Sequence, residues 1–326
     1  MSHSFSPERM EPDRRVDPVL MGIIMLLLGT GLSVLFSSSF YRAEQLFSDP
    51  SRFLRGQALW VTVGVVVGSV VARISLTAAR RFVVPVLFGT LGLMLLTFVP
   101  GFGTEFHGAQ RWIIISGQSF QPSELVKVVI VFYLAYLLSR KHDSMDDPVN
   151  ALLPPFLVLL LFSGLIYLQN DFSTAVFTML LGLSMFFVAG APFRYFFGLL
   201  FTAGPLMVIL LLTREHRVNR LLAFLEPSLD PSGSGFQILA AERALISGGI
   251  WGKGIGMGTQ KVGNLPEVQS DFIFAVVAEE MGFIGVVAIM ALFGAFAWRG
   301  YLIAVRAKDR FRCYLAFGLT SLVLGQ

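Results

Sequence analysis

The sequence is poor in charge and nearly free of cysteine. Charged residues make up 14% of its 326 residues and hydrophobic residues 55%, whereas soluble domains carry about 25% charged residues. A soluble globular protein is therefore excluded. The single cysteine, Cys313, cannot form an intramolecular disulfide. We interpret it as a small buried or lipid-facing residue.

Motifs for common enzyme chemistry are also missing. The histidines His3, His107, His142 and His216 are scattered, without the spacing of a metal site. No Ser-His-Asp or Cys-His arrangement is visible. The glycine-rich stretch "SGGIWGKGIGMGTQK" (247–261) matches neither a Walker loop nor a dinucleotide fingerprint. No internal repeat supports an inverted-repeat transporter.

Long apolar runs dominate what is present. Most approach the roughly 20 residues that a membrane helix needs, which predicts an all-α, polytopic helical membrane protein. The last run is shorter and reaches the end of the chain, so we expect a truncated C-terminus. The predicted spans are 18–38, 57–73, 82–99, 124–139, 152–168, 172–190, 193–213, 271–297 and 312–326.

Basic residues set the predicted orientation. Most Lys and Arg of the tail and short loops fall on one side of the membrane, which places the N-terminus in the cytoplasm. We predict a cytoplasmic tail over 1–17, a single integral membrane domain over 18–326 and a large extracytoplasmic loop over 214–270. The first span lacks a cleavage site, so it is predicted to be a retained anchor. Within the long loop, "FQILAAERALISGG" predicts a short helix against the outer membrane face.

Three carboxylates, Asp271, Glu279 and Glu280, mark the start of the eighth span. Asp271 could cap the helix, or it could act as a general base or metal ligand. Ionisable groups at membrane depth are costly and usually mark function, although the Glu pair could instead form a structural salt bridge between spans. Helical geometry places Glu279 about 80° and Glu280 about 180° around the helix from Asp271. At most Asp271 and Glu279 can therefore line one cavity.

A second polar region, residues 107–132, leads into the fourth span. Residues 112–115 suit a short interfacial strand or helix. Glu124 and Lys127 follow a predicted helix start and are neighbours at i, i+3 spacing. Lys127 either snorkels as an anchor or joins Arg111 in holding an anionic headgroup by point-charge and bidentate contacts.

Further polar residues fall on the same predicted outer face. Asp171 lies in a short turn, where a turn and N-cap role suffices. Arg217 and Arg220 begin the long loop. Together with Arg111 and Asp271, these residues indicate an outward-facing polar site at the depth of lipid headgroups. Such a site suits an anionic, membrane-anchored substrate.

Several stretches resemble the SEDS family (shape, elongation, division, sporulation) in order and position. The resemblance covers nearly the whole chain, and the acidic stretch after the glycine-rich loop is its most specific part. Its details favour the division branch over the elongation branch. The matching stretches are "GAQRW", "QPSELVK", "GFQ", "ISGGIWGKGIGMGTQK", "LPEVQSDFIFAVVAEE" and "GFIG".

The resemblance implies a peptidoglycan glycosyltransferase of ten membrane helices. Such an enzyme polymerises lipid II, an undecaprenyl-pyrophosphate-linked precursor, at the outer face of the cytoplasmic membrane. The family's essential carboxylate corresponds to Asp271, which would take the proton of the attacking hydroxyl. The candidate substrate-binding residues are Arg111, Lys127, Glu124, Asp171, Arg217, Arg220, Gln237, Glu267 and Glu279.

The chain departs from the family pattern at several positions. Gln269 and Ser270 stand where a His-Thr pair commonly precedes the aspartate, which puts a proton-shuttle role there in doubt. Residues 169–171 read Gln-Asn-Asp instead of the common Gln-Pro-Asp. The family's C-terminal Pro- and Gly-containing region, with the tenth helix, is absent.

Three hypotheses for the function follow. In glycosyl transfer, cations such as Arg111 and Lys127, or a divalent cation (Mg²⁺ or Mn²⁺) held by carboxylates including Asp271, would stabilise the leaving pyrophosphate. A lipid II flippase would need a polar path across the bilayer, which is not visible. A non-catalytic scaffold would have no need of acids at depth. The expected partners are a class B penicillin-binding transpeptidase and other divisome proteins, with no nucleic acid.

Overall fold

The computed structural model is predominantly helical. It describes residues 16–106, 109–115, 118–142, 147–213, 218–219, 222, 225–227, 236–258 and 273–326. The helices are α1 (Pro18–Phe47), α2 (Arg52–Val71), α3 (Leu76–Leu96), α4 (Pro122–Lys141), α5 (Pro148–Ala151), α6 (Leu153–Leu168), α7 (Phe172–Val188), α8 (Phe193–Leu212), α9 (Phe236–Gly248), α10 (Ile273–Val305) and α11 (Arg310–Gly325).

Each predicted span overlaps a helix, which confirms the polytopic helical class, although α1 and α10 extend to Phe47 and Val305, beyond the predicted ends. The second span extends further towards its N-terminus than predicted and begins at Arg52. Among the described residues, five helices (α1, α2, α3, α4 and α10) are long and apolar enough to cross a membrane, and α6 and α7 are shorter apolar helices. The short helix predicted in the long loop is confirmed as α9.

Local sequence explains where several helices begin. Asp17 accepts a hydrogen bond from the N–H of Leu20 at the start of α1. Ser75, Asp171 and Asp309 cap α3, α7 and α11 in the same way. Each of these side chains satisfies a backbone N–H that has no partner within its helix. The N-cap role considered for Asp171 is thereby confirmed.

A small antiparallel sheet connects α3 to α4. Its strands are β1 (Gly103–Phe106), β2 (Ala109–Ile115) and β3 (Gln118–Phe120), in the order β1-β2-β3. The strand alternative for residues 112–115 is therefore confirmed. The sheet follows from the run of β-branched Ile113–Ile115, which suits an extended backbone.

The described chain forms two compact units. The first contains residues 74–198 and 297–326, and the second contains 16–73 and 199–296. In the first unit, α4 contacts α3, α6, α7 and α11. Its side chains at four-residue spacing, Val126, Ile130, Leu134 and Leu138, are fully buried. This buried stripe makes α4 the central helix of the first unit.

In the second unit, α10 is interrupted at Gly282, where φ is 66° and ψ is −168°. In a regular helix, the N–H groups of Phe283 and Ile284 would donate to the carbonyls of Glu279 and Glu280. The interruption breaks these helical bonds, and the two N–H groups and two carbonyls bond instead to the backbone of the glycine-rich segment, residues 249–258.

Two carbonyls and two N–H groups of this segment fill the interruption. Phe283 N donates to Gly249 O at 2.9 Å, and Ile284 N donates to Ile250 O at 3.3 Å. In the opposite direction, Lys253 N donates to Glu279 O at 2.9 Å and Gly254 N donates to Glu280 O at 3.0 Å. The interruption therefore leaves none of these four backbone groups unsatisfied, as burial in an apolar setting requires.

Glycine permits this close approach. A Cβ on Gly252 would lie 2.2 Å from the carbonyl oxygen of Glu280. A Cβ on Gly248 would lie 1.9 Å from the carbonyl oxygen of Ala278. Gly252 also has a φ of 77°, a conformation that side chains disfavour.

We predict that Gly252→Ala destabilises the protein by roughly 1–3 kcal/mol more than Gly256→Ala. Both glycines have positive φ, but a Cβ on Gly256 would meet no atom within 4 Å. The two variants share the cost of backbone strain, so their difference isolates the clash with the carbonyl of Glu280. Unfolding in detergent measures the difference, and equal stabilities would show that the close approach is unimportant.

Candidate functional site

An acidic side chain and a basic side chain meet at one end of the first unit. Strand β2 carries Arg111, whose Nη1 lies 3.0 Å from Oδ2 of Asp171. Asp171 is only 5% exposed, and the Arg111 side chain is 33% exposed. Gln121, directly before α4, donates from its Nε2 to the same Asp171 oxygen at 3.1 Å. Asp171 therefore caps α7 and also ties β2 to the start of α4.

The turn before Asp171 is held by a buried amide. Gln169 is 1% exposed, and its Nε2 donates to Thr97 Oγ1 at 2.7 Å. Asn170 adopts a φ of 62°, a left-handed conformation that Asn tolerates better than most residues. Because Pro fixes φ near −65°, a proline could not adopt this backbone conformation at position 170.

A second ion pair lies in the first turn of α4. Lys127 Nζ is 2.8 Å from Glu124, so the predicted i, i+3 contact is confirmed. Lys127 is 4% exposed, and its Nζ lies 5.6 Å from the ring centroid of Phe177. A charged ammonium is buried at a large cost unless it is paired. The ion pair and the aromatic face supply that compensation, so Lys127 is not an exposed anchor.

The structure thus brings four predicted site residues to the same end of the first unit. Gln121 lies between the two ion pairs. Its side chain donates to Asp171 Oδ2 at 3.1 Å, and its backbone carbonyl accepts from the N–H of Glu124 at 3.1 Å. The other end of α4 is about 30 Å away at 1.5 Å per residue, and there His142 contacts Tyr314. The residues at the first end are Arg111, Asp171, Glu124 and Lys127.

The two glutamates of α10 lie in the second unit and are buried. Glu279 is 0% exposed and Glu280 is 4% exposed. Lys253 Nζ lies 2.7 Å from Glu279 Oε1, and Ser247 Oγ donates to the same oxygen at 3.4 Å. Ser37 Oγ of α1 lies 2.8 Å and 2.6 Å from the two oxygens of Glu280. The ion pair therefore joins a span to the glycine-rich segment, whereas the sequence suggested a pair between two spans.

Several predicted site residues lie outside the described residues: Asp271, Glu267, Arg217 and Arg220. Gln237 belongs to the first turn of α9, but its side chain lies outside the description. The predictions for these residues remain predictions.

The expected divalent cation has no ligand set within the described part of the chain. There, no three His, Cys, Asp or Glu side chains lie close enough together to hold a metal ion. Asp271, the residue predicted as a possible ligand, lies outside that part. The divalent cation therefore remains a prediction.

Sequence reasoning did not identify Ser37, Gln121 or Lys253 as partners of the acids. A signal existed for Lys253, because two glutamates in an apolar helix require nearby donors and Lys253 is the one cation within the run 247–258. Ser37 lies in "SSS" of α1, where three consecutive hydroxyls interrupt an apolar span. No local pattern in the sequence paired either residue with its glutamate.

Fold and site together define a polytopic helical membrane protein with a polar cluster at one end of a helix bundle. The chain belongs to the FtsW/RodA/SpoVE family of cell cycle proteins, whose family model matches residues 18–326.

Relatives of known name cover most of this chain. A probable peptidoglycan glycosyltransferase FtsW of Borreliella burgdorferi is 39% identical over 302 residues, which cover 93% of this chain and 82% of that protein. The corresponding protein of Geobacter sp. strain M18 is 36% identical over 307 residues, covering 94% of this chain and 84% of that protein.

Solved structures share the fold. A chain from a peptidoglycan synthase complex that coordinates polymerization and crosslinking superposes with a TM-score of 0.74 at 24% identity, covering 94% of this chain and 83% of that chain. The rod shape determining protein RodA of Thermus thermophilus superposes with a TM-score of 0.66 at 22% identity, covering 94% of this chain and 81% of that chain.

We predict that Arg111→Met lowers the free energy of unfolding by roughly 3 kcal/mol, because it leaves the buried Asp171 carboxylate without its cation. The control is Arg55→Met, which breaks an ion pair whose side chains are 67% and 30% exposed and should cost less than about 1 kcal/mol. Adding Asp171→Asn to Arg111→Met should recover part of the loss. Similar small effects for Arg111→Met and Arg55→Met, measured by unfolding in detergent, would contradict the prediction.

Proposed function

We propose that this protein is a peptidoglycan glycosyltransferase that polymerises lipid II into glycan strands for septal wall synthesis in cell division. The observation that carries the proposal is 39% identity, over 93% of this chain, to a protein named as a probable peptidoglycan glycosyltransferase FtsW. The FtsW-named relatives favour the division role over the elongation role of a RodA-like enzyme.

The geometry of the first unit supports an anionic substrate. Arg111 is held at the Asp171 end of the unit, yet its side chain is 33% exposed and its remaining donors can turn to a ligand. Its guanidinium is suited to bidentate contact with phosphate oxygens. Lys127 lies close to the start of α4, where it is buried and paired with Glu124. Pyrophosphate is the anionic group that lipid II would present to these cations.

The proposed reaction is a direct displacement at a sugar carbon. The 4-hydroxyl oxygen of the acceptor sugar forms a bond to the anomeric carbon of the donor. The bond from that carbon to the pyrophosphate oxygen breaks, and its electron pair leaves with the lipid pyrophosphate. Asp271 takes the hydroxyl proton as general base, while Arg111 and Lys127 stabilise the leaving charge. A single displacement inverts the anomeric centre.

The proposed location is the cytoplasmic membrane of a bacterium, with the N-terminus in the cytoplasm. Support comes from the charge distribution of the sequence, since basic residues are enriched in cytoplasmic loops. The distribution of charged residues between the two ends of the first unit is consistent with this orientation. Arg80 and Arg312 flank Asp309 near the start of α11, while the Arg111 site lies at the opposite end of α4.

The proposed working partner is a class B penicillin-binding transpeptidase, together with other divisome proteins. Such a partner would crosslink the strands that this enzyme polymerises. Support comes from a solved chain of similar fold, which belongs to a peptidoglycan synthase complex that coordinates polymerization and crosslinking.

We expect the wild-type protein, purified with its transpeptidase partner and given lipid II and a divalent cation, to produce glycan ladders on a gel. Asp271→Ala and Asp271→Asn should reduce polymerisation by at least about 10²-fold, because a positioned general base contributes on that order. Both variants should express at the wild-type level.

The outcomes separate the candidate functions. Normal polymerisation by Asp271→Asn would remove Asp271 from the mechanism. A preparation that binds its partner but makes no polymer, and that moves lipid II across liposome membranes, would favour a flippase. An unaltered partner interaction with no effect of Asp271→Ala in cells would favour a scaffold.

A further inference from the structure

Side-chain contacts also hold the glycine-rich segment against the interrupted turn of α10, in addition to the backbone hydrogen bonds. Glu279 has no exposed surface, and Lys253 Nζ lies 2.7 Å from its Oε1. Lys253 also donates its backbone N–H to the carbonyl of Glu279. One lysine therefore binds one glutamate through both main chain and side chain, which fixes the glycine-rich segment in register against the helix.

The far end of the glycine-rich segment meets the same carboxylates. A Cβ on Gly258 would lie 3.1 Å from Glu279 Oε2 and 3.1 Å from Glu280 Oε1. The backbone at Gly258 therefore lies directly beside both side chains. The segment is held at its start by Phe283 and Ile284, at its middle by the Lys253 pair, and at its end by the carboxylates.

The contacts of Gly258 fix the point at which the chain enters the following stretch, residues 259–272. After Gly258 the described chain resumes at Ile273, the first residue of α10. Ile273 and Glu279 are roughly 9 Å apart along the helix, at 1.5 Å per residue. The two described residues that flank the stretch 259–272, Gly258 and Ile273, thus both lie at the same short part of α10. Asp271 belongs to this stretch and stands two positions before Ile273 in the sequence.

We propose that Lys253 and Glu279 are a positioning pair for the glycosyl transfer: they fix where the chain enters the stretch that carries Asp271. The inference rests on the proposed function, since it assigns the pair a role in placing the general base. Neither side chain needs to contact the substrate. The pair acts by holding Gly258 beside α10, at a set distance from Ile273.

Positioning and simple stabilisation predict different kinetics. Displacing a general base by about 1 Å costs on the order of 10² in rate, and it leaves substrate binding intact. Loss of the pair should therefore lower kcat while KM stays unchanged. A pair that only stabilises the fold would lower the folded fraction, and each folded molecule would keep its kcat.

The test compares Glu279→Gln, Lys253→Gln and the double variant with wild type, using the full protein with its transpeptidase partner. The double variant removes both charges together, so it leaves no unpaired buried charge and covers the case in which a single variant fails to fold. Lys253→Arg keeps the charge and should restore much of the activity. Glu242→Gln is the matched control, because it removes a carboxylate from an exposed position of α9.

Two readouts are needed. Lipid II polymerisation, normalised to folded protein, gives kcat and KM. Hydrogen exchange gives the protection of the backbone amides of Lys253, Gly254, Phe283 and Ile284, whose bonds define the interrupted turn. This second readout does not depend on activity.

The expected result is faster exchange at these amides and a kcat about 10²-fold lower in all three Gln variants of the pair, at unchanged KM. Because the residues act as a unit, the double variant should lose little more than either single variant. Unchanged kcat per folded molecule in these variants, with Asp271→Ala inactive, would overturn the positioning role and leave the proposed function standing. An inactive wild type, in a preparation that binds its partner, would overturn the proposed function and with it the inference.

Discussion

The cost of placing charges and backbone polar groups in apolar surroundings governs this structure. Each buried ionisable side chain described above has a partner. Lys127 is paired with Glu124, Asp171 with Arg111, and Glu279 with Lys253. The same constraint applies to the main chain at the interrupted turn of α10, where an adjacent segment replaces the missing helical bonds. At Asp171, at Glu279 and at the interrupted turn, the buried polar groups therefore tie separate stretches of chain together.

Features fixed by neighbouring residues could be predicted from the sequence. The helix start at Pro122 and the contact between Glu124 and Lys127 depend on residues within one helical turn. The cap at Asp171 depends on the three residues that follow it. The apolar runs were long enough to reveal each span. These elements need little tertiary information.

Features fixed by distant residues could not be predicted in the same way. Lys253 and Glu279 are separated by 26 positions, and Ser37 and Glu280 by 243. The sequence around Gly282 predicts an uninterrupted apolar helix, because a single glycine inside a span does not by itself indicate a break in the helix. The interruption depends on hydrogen bonds to the glycine-rich segment, so it can be recognised only from the three-dimensional structure. Of the candidate site, the sequence could therefore indicate the residue types and the shared end of the bundle, but not the partners.

The backbone exchange at Gly282 also limits how this loop can evolve. Loops ordinarily tolerate insertions and deletions, since few of their backbone groups have fixed partners. Here Gly249, Ile250, Lys253 and Gly254 each bond a specified group of α10. Adding or removing one residue between Ile250 and Lys253 would shift one pair of bonds relative to the other, so both pairs could no longer form together. The length of this short connection is therefore as constrained as that of a transmembrane helix, although it lies within the longest loop of the chain.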